Sequence, residues 1–257
     1  MDVVVVGGGM VGCAVALRLA QAGARCTVVE RSVPGAEASS AAAGILAPQA
    51  ESDGPGPFLS LCLRSRALYP DFVAEVESLS GMQVGFRPSG VLHLAFSAES
   101  TARLRARVTL QRASGLSAEM LDAEDVLKLE PGANPAVRKA AFFRDDASID
   151  TRLLMRALSM AAARVGVRFV AGHVRGVLGS GGRATGVDLD GVPLHAEAVV
   201  VAAGAWTGLV QGSGLSPRQI RPARGQMVMV RARLPSDFAT TISIFMGAVR
   251  LSASNDL

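Results

Sequence analysis

Gly7, Gly9 and Gly12 stand in the order GxGxxG within the opening stretch DVVVVGGGMVGCAVALRLAQAGARCTVVE, and Glu30 follows 18 positions after the last of them. These residue types at this spacing suit the binding of a dinucleotide. Gly7 permits a tight turn, Gly9 lets the backbone approach a pyrophosphate at a helix N-terminus, and Gly12 lets helix and strand pack closely. Glu30 is placed to accept hydrogen bonds from a ribose 2′-OH and leaves little room for a 2′-phosphate. NADP is therefore disfavoured, and NAD and FAD remain. An isolated GxGxxG fits an ordinary glycine-rich turn equally well, so the elements around it decide its meaning.

Those elements are the ones the chemistry needs. Val3 to Val6 form a branched run of the kind buried on both faces of a parallel sheet. Met10 to Ala22 carry apolar residues at helical spacing, Gly23 ends that helix, and Cys26 to Val29 make a second strand ending at Glu30. A nicotinamide dehydrogenase would continue with further strands and helices at short spacing, but this chain leaves that pattern. A long amphipathic helix is expected from Phe58 to Leu79, then a strand from Gly90 to Phe96. Helices follow at Glu99 to Ala113, Ala123 to Leu129 and Thr151 to Val165. Short strands come next in VRFVAG, VRGVLG, ATGVDLDG and LHAEAVVVAAG, the last closing on a buried parallel-type strand from Ala198 to Ala203. An opening βαβ unit, a long insertion and a late return strand describe a split nucleotide domain carrying an inserted domain.

The whole composition narrows the function classes. A chain of 257 residues, 49% hydrophobic, can bury a large core. The net charge of +4 is the small difference between 26 basic and 22 acidic residues. With one Trp and one Tyr, it offers neither a basic patch nor stacking platforms for nucleic acid. Cys13, Cys26 and Cys62 form no CxxC pair, which reads as reduced thiols in a cytoplasmic protein with Cys13 and Cys26 in the core. The apolar run from Val3 to Leu17 is shorter than the roughly 20 residues of a membrane helix and has no basic start, so neither a membrane partner nor a signal peptide is expected. His93, His173 and His195 share no spacing and read as structural or surface residues without a metal.

Ser39 to Ser52, SSAAAGILAPQAES, follows no helical or strand period and carries almost no side-chain volume from Ser39 to Ile45. Such a segment suits either a tight packing crossing between sheet and helix or a backbone that must approach a flat ligand. Together with VVVVGGGMVGCAVALRLAQAG, SGVLHLAF, FFRDDASID, VVVAAGAWTG and RPARGQMV, it resembles the D-amino-acid oxidase superfamily of FAD enzymes. Within that superfamily the resemblance is to glycine oxidases of thiamine biosynthesis, over about Met1 to Arg233. It implies FAD as cofactor. Met10 and Val11 would offer backbone N–H groups to phosphate beside Gly7, Gly9 and Gly12, and Arg31 would flank the adenosine next to Glu30. Ser39 and Ser40 would be phosphate-side donors, and Ala43, Gly44 and Ile45 would lie against the isoalloxazine. Val174 would meet the adenine through its backbone, and could equally be an ordinary strand valine. Gly204 would let the chain pass the cofactor, with Trp206 a packing residue beside it.

The resemblance implies an α/β fold, α+β overall: a Rossmann-like FAD-binding domain split by an inserted antiparallel-sheet substrate domain, C-terminally incomplete. The expected FAD-binding domain is 1–80 and 140–212, the substrate or cap domain 81–139 and 213–234, and 235–257 an atypical tail. The implied reaction takes a hydride from Cα of glycine or a small amine to the flavin, passes electrons to O2, and leaves an imine to hydrolyse. A related D-amino-acid dehydrogenase or sarcosine oxidase, and an inactive FAD-binding fragment, stand as alternatives, and homo-oligomerisation stays open. Catalytic residues are not assigned. The family's substrate-holding arginine lies in motifs resembling YxVPR and GLRPxTxDGxP, which have no counterpart, and Arg250 has no such motif around it. The loss of similarity near Leu234 suggests a truncated or frameshifted reading of a longer gene.

Overall fold

The computed structural model describes residues 1–52, 54–223, 225 and 241–243; the expected tail at 235–257 and Arg250 lie outside the described residues, apart from 241–243. In chain order, β1 (Asp2–Val6), α1 (Met10–Gln21) and β2 (Arg25–Glu30) lead to the short α2 (Ala38–Ala41), β3 (Ile45–Leu46) and α3 (Pro48–Glu51). The long α4 (Pro57–Ser80) precedes β4 (Val91–Ala95), α5 (Ala98–Ala113), β5 (Glu119–Asp122), α6 (Ala123–Leu129), β6 (Lys139–Phe143) and β7 (Ala147–Ser148). Then come α7 (Thr151–Arg164), β8 (Arg168–Ala171), β9 (Val174–Ser180), β10 (Arg183–Leu189), β11 (Val192–His195), β12 (Ala198–Val201), a 3-10 turn at Gly204–Leu209, and β13 (Thr241–Ser243).

The described residues form two compact units, the first from Met1–Gly44, Tyr69–Phe86 and the residues from Ile149 to 225. Its sheet has the order β12-β1-β2-β8, all parallel, with β1 central. Val3 to Val6 are all buried because both faces of this sheet are covered. On one side Val4, Val6 and Val29 pack with Val174, Val187 and Val210, which belong to or adjoin a second, antiparallel sheet of order β11-β10-β9. On the other side α1 contacts β1, β2 and α7. Buried Leu154, Leu158 and Ala161 recur at helical spacing along α7, whose first turn is capped by Asp150 Oδ1 accepting from the N–H groups of Arg152 and Leu153 at 2.9 and 3.0 Å. Cys13 and Cys26 are buried in this unit, and all three cysteines are free thiols.

LHAEAVVVAAG reads as one strand in the sequence, and the structure divides it. Val192–His195 pairs antiparallel with β10, while Ala198–Val201 pairs parallel with β1, in register Val3↔Ala198 to Val6↔Val201. The division falls where the N–H of Ala196 bonds back to Thr185 and that of Glu197 bonds onward to Asp2. One apolar run thus serves two sheets, because hydrophobicity does not record which partner each half pairs with.

The second unit comprises Ile45–Leu68, Arg87–Ser148 and Thr241–Ser243. Its main sheet has the order β13-β4-β6-β5, with β4–β6 and β5–β6 antiparallel and β13 parallel to β4. The alternation along β4 sorts two cores: Val91 and Ala95 join Leu104 and Val108 of α5, while Leu92 and Leu94 join Val126 of α6. The fold class is therefore mixed α/β, with a Rossmann-like parallel sheet and separate antiparallel sheets.

Candidate functional site in the first unit

The glycine turn between β1 and α1 is dictated by contacts that leave no room for a side chain. Gly7 has φ +105, and a Cβ there would lie 2.5 Å from the Ala202 carbonyl oxygen at the end of β12. Gly12, in the first turn of α1, faces the Gly7 carbonyl so closely that a Cβ would come within 1.9 Å of its oxygen. The turn is fixed further by Gly7 N–H donating to Val29 O at 2.8 Å. Glu30 accepts from Gly8 N–H at 2.8 Å with one carboxylate oxygen and from Ser32 N–H at 3.0 Å with the other. The residue read as a ribose acceptor also clamps the turn that would hold the phosphates. Burial of Cys13 and, after it, the charge of Glu30 push the Cys13 thiol up to about 12.

Gly9 is the N-cap of α1 and brings no capping side chain. The first-turn donor of Met10 is met instead by Ser39 Oγ, at 2.9 Å and from 29 residues away. A serine hydroxyl at a helix N-terminus stands where an anion would gain from the same N–H groups and helix dipole. The hydroxyl can turn to donate to a phosphate oxygen, and Gly9 keeps the approach open.

A cavity of about 350 Å³ lies over this turn, at the C-terminal ends of β1, β2 and β12. Gly7, Gly9, Met10, Val11, Glu30, Arg31, Ser39, Val174 and Gly204 line it. The structure thus gathers these nine from four separated stretches of chain. Gly12 lies beneath the turn, and Ser40, Ala43, Gly44 and Ile45 are not among the lining residues. The volume, the mainly apolar walls and the few convergent polar groups are those of a ligand pocket, at the usual position for an open parallel sheet.

Gly44 has a packing role of its own. Its φ is +77, a Cβ would meet the Ile149 carbonyl oxygen at 1.9 Å, and its own carbonyl accepts from Ile149 N–H at 2.8 Å. Thr151 Oγ1 adds a bond to Ala42 O at 2.9 Å. The part of the small-residue stretch up to Gly44 is therefore a close crossing against the start of α7.

The rest of that stretch is anchored within the second unit. Arg66 donates to Gln49 Oε1 at 2.6 Å and pairs with Asp146 at 2.7 Å, while Asp146 also accepts from Ala50 N–H at 3.1 Å. Gln49 and Gln111 bond each other, side chain to side chain and side chain to backbone. Asp146 is fully buried, and burial raises its carboxyl above the ordinary value although Arg66 and the backbone donors pull the other way. In the same unit, burial and the charge of Arg107 lower His93 to about 4, so it is neutral at physiological pH.

The pocket also holds residues for which the sequence indicated no ligand-binding role. Trp206, read as a packing residue, is 39% exposed and lines the mouth. Its indole N–H donates to Glu37 at 2.7 Å, Glu37 pairs with Arg31, and the Arg31 guanidinium lies 4.8 Å from the Trp206 ring centroid. The indole bond first and Arg31 second hold the Glu37 carboxyl below its ordinary value. Nothing in EASS singles out Glu37, because its partners are 6 and 169 positions away. His173 also lines the pocket. Among the described residues no cluster of three or more His, Cys, Asp or Glu could hold a metal, and no helix is long and apolar enough to cross a membrane.

Fold and pocket together are of the Rossmann type, the class of fold that places a pocket at the C-terminal ends of parallel strands. The FAD dependent oxidoreductase family matches residues 2–251, and the chain belongs to that family. The match runs past Arg233, where the motif-based resemblance ends. The chain is 34% identical to a glycine oxidase of Geobacillus kaustophilus over 238 residues, which is 91% of this chain and 62% of that protein. It is 35% identical to a bifunctional protein ThiO/ThiG of Trichormus variabilis over 232 residues, 90% of this chain and 34% of that protein. The crystal structure of the Geobacillus kaustophilus glycine oxidase superposes with a TM-score of 0.77 at 32% identity, covering 81% of this chain and 56% of that one. The chain thus spans between about a third and three fifths of the length of these relatives.

Proposed function

We propose that the chain binds FAD in the pocket over the β1–α1 turn and serves the oxidation of glycine or another small amine, as in the glycine oxidases it resembles. The observation that carries this reading is the convergence on one pocket of a Cβ-free turn, a helix N-terminus reached by Ser39, and the β2-terminal carboxylate of Glu30. In this reading the backbone of Gly7, Gly9, Met10 and Val11, with Gly12 packed beneath, cradles the pyrophosphate, and Ser39 turns its hydroxyl toward it with Ser40 nearby. Glu30 and Arg31 flank the adenosine, Val174 offers its backbone to the adenine, and Gly204 lets the chain pass close by. Ala43, Gly44 and Ile45 belong to the flavin side. When bound, FAD supplies the hydride acceptor and, through O2, the route to peroxide; the protein supplies orientation and field.

The first unit is proposed as the FAD-binding domain and the second as the substrate-side domain. No described residue is assigned to the substrate carboxylate. The likeness to ThiO/ThiG supports a place in the thiazole branch of thiamine biosynthesis. The test is the absorbance spectrum of the purified chain, before and after adding FAD, followed by a peroxide assay with glycine, sarcosine and D-alanine. Flavin bands that stay with the protein through gel filtration are expected. Their absence after FAD addition refutes the cofactor assignment, and flavin binding without peroxide from any of the three amines refutes the activity.

A further inference from the structure

The strand order β12-β1-β2 sets the segments leaving β2 and β12 on opposite sides of the glycine turn that follows β1. Those two segments are joined above the turn by one carboxylate. Glu37, on the chain following β2, accepts the indole N–H of Trp206, in the 3-10 turn following β12, at 2.7 Å. The same carboxylate pairs with Arg31, whose guanidinium lies over the Trp206 ring at 4.8 Å from its centroid. Ion pair, indole bond and cation–π contact therefore close a three-residue ring in which each member touches the other two. All three line the pocket and all three are partly exposed, with side-chain exposures of 40% for Arg31 and 54% for Glu37, so the ring sits at the mouth and not in the floor.

A structural ion pair has no need of this arrangement. The exposed wall near the ring includes Val33 and Leu209, 65% and 62% exposed, which also line the pocket. Large apolar groups left open around a polar clasp are what a rim looks like when it is to close over a partly apolar ligand. The contact is also non-local, since it links residues 169 positions apart through side chains alone. It can open without breaking a backbone hydrogen bond.

We propose that Glu37, with Arg31 and Trp206, is a clasp that retains the dinucleotide, bridging the pocket mouth between the segments after β2 and β12. The proposal rests on the FAD reading above. Glu37 and Trp206 act as positioning residues: they set how slowly the ligand leaves, and the glycine turn and Glu30 set where it lies. Losing the clasp releases FAD faster with little change in the fold, because surface positions of this kind contribute little to stability.

Trp206 is the sole tryptophan of the chain, so its emission reports the clasp in cofactor-free protein. Acrylamide quenching of that emission is measured for the native chain, Glu37→Ala and Glu37→Gln. FAD release is then followed by flavin fluorescence, after dilution into a flavin-scavenging protein, for these chains and Trp206→Phe. Glu37→Ala is expected to raise the quenching and to speed release roughly five- to tenfold, the scale of an exposed charge-assisted bond together with a cation–π contact. Glu37→Gln keeps an acceptor for the indole and falls between, and Trp206→Phe, which keeps a ring but loses the N–H, releases as fast as Glu37→Ala. Unchanged quenching in Glu37→Ala overturns the clasp whatever FAD does. Raised quenching with unchanged release also overturns it while leaving the FAD assignment standing. A native chain that takes up no FAD overturns both.

Discussion

Gly12→Ala and Gly9→Ala add the same methyl group three residues apart, and the structure gives them opposite consequences. At Gly12 the new Cβ would lie 1.9 Å from the Gly7 carbonyl oxygen and 3.1 Å from its carbon. Both are backbone atoms of a turn already pressed against Ala202, so nothing flexible can yield and the first turn of α1 must lift from β1. Overpacking of this kind costs about 1–3 kcal/mol, and rigid surroundings place this site near about 3. For a chain of this size that corresponds to a fall in Tm of roughly 6–12 °C. At Gly9 the nearest atom is Ser39 Oγ at 3.1 Å, the end of a rotatable side chain, so the cost to folding stays below about 1 kcal/mol. The methyl instead occupies the approach to the helix N-terminus, and FAD affinity falls at least about tenfold, or about 1.4 kcal/mol. Thermal unfolding of cofactor-free protein and FAD titration by flavin anisotropy read the two effects separately. The reasoning is refuted if Gly12→Ala melts within about 1 °C of the native chain, or if Gly9→Ala binds FAD with unchanged Kd.

Four further outcomes are expected. Arg66→Met leaves Asp146 buried without its cation, and the midpoint of urea unfolding should report a loss of about 3 kcal/mol; a loss below about 1 would show the pair to be dispensable. With its thiol raised to about 12, Cys13 contributes stability that is intact below pH 9 and lost as pH climbs toward 12, so Cys13→Ala should flatten the alkaline limb of stability against pH. In the native chain at pH 8, a thiol reagent should label Cys62 ahead of buried Cys13 and Cys26, as peptide mass mapping would show. Gly44→Ala, with a backbone clash added to its positive φ, should destabilise by at least about 2 kcal/mol more than Gly23→Ala, which has positive φ and open space; equal Tm values would refute that ordering.

The βαβ opening was legible because its signals are local. A branched valine run, a helical apolar period and three glycines lie within thirty residues, so the whole pattern can be read in one short window. The helix at Ala123–Leu129 was legible in the same way, from its helical pattern. The small-residue stretch was not, since small side chains suit both a flavin face and a packing crossing. Gly44 meets Ile149, and Ala50 meets Asp146, so the packing constraint on this segment is visible only when residues about 100 positions away are set beside it.

The sequence by itself determined the glycine turn, its strand and helix, and the acidic end of β2, because the residue types and spacings that mark them lie within thirty positions of chain. Only the tertiary structure decided that Ser39 rather than an N-cap side chain serves the first turn of α1, that LHAEAVVVAAG divides between two sheets, and that Glu37 and Trp206 meet across the pocket mouth. Each of these depends on which distant segments the sheet order brings together. A hydroxyl, a carboxylate or an indole carries no record of a partner that far along the chain.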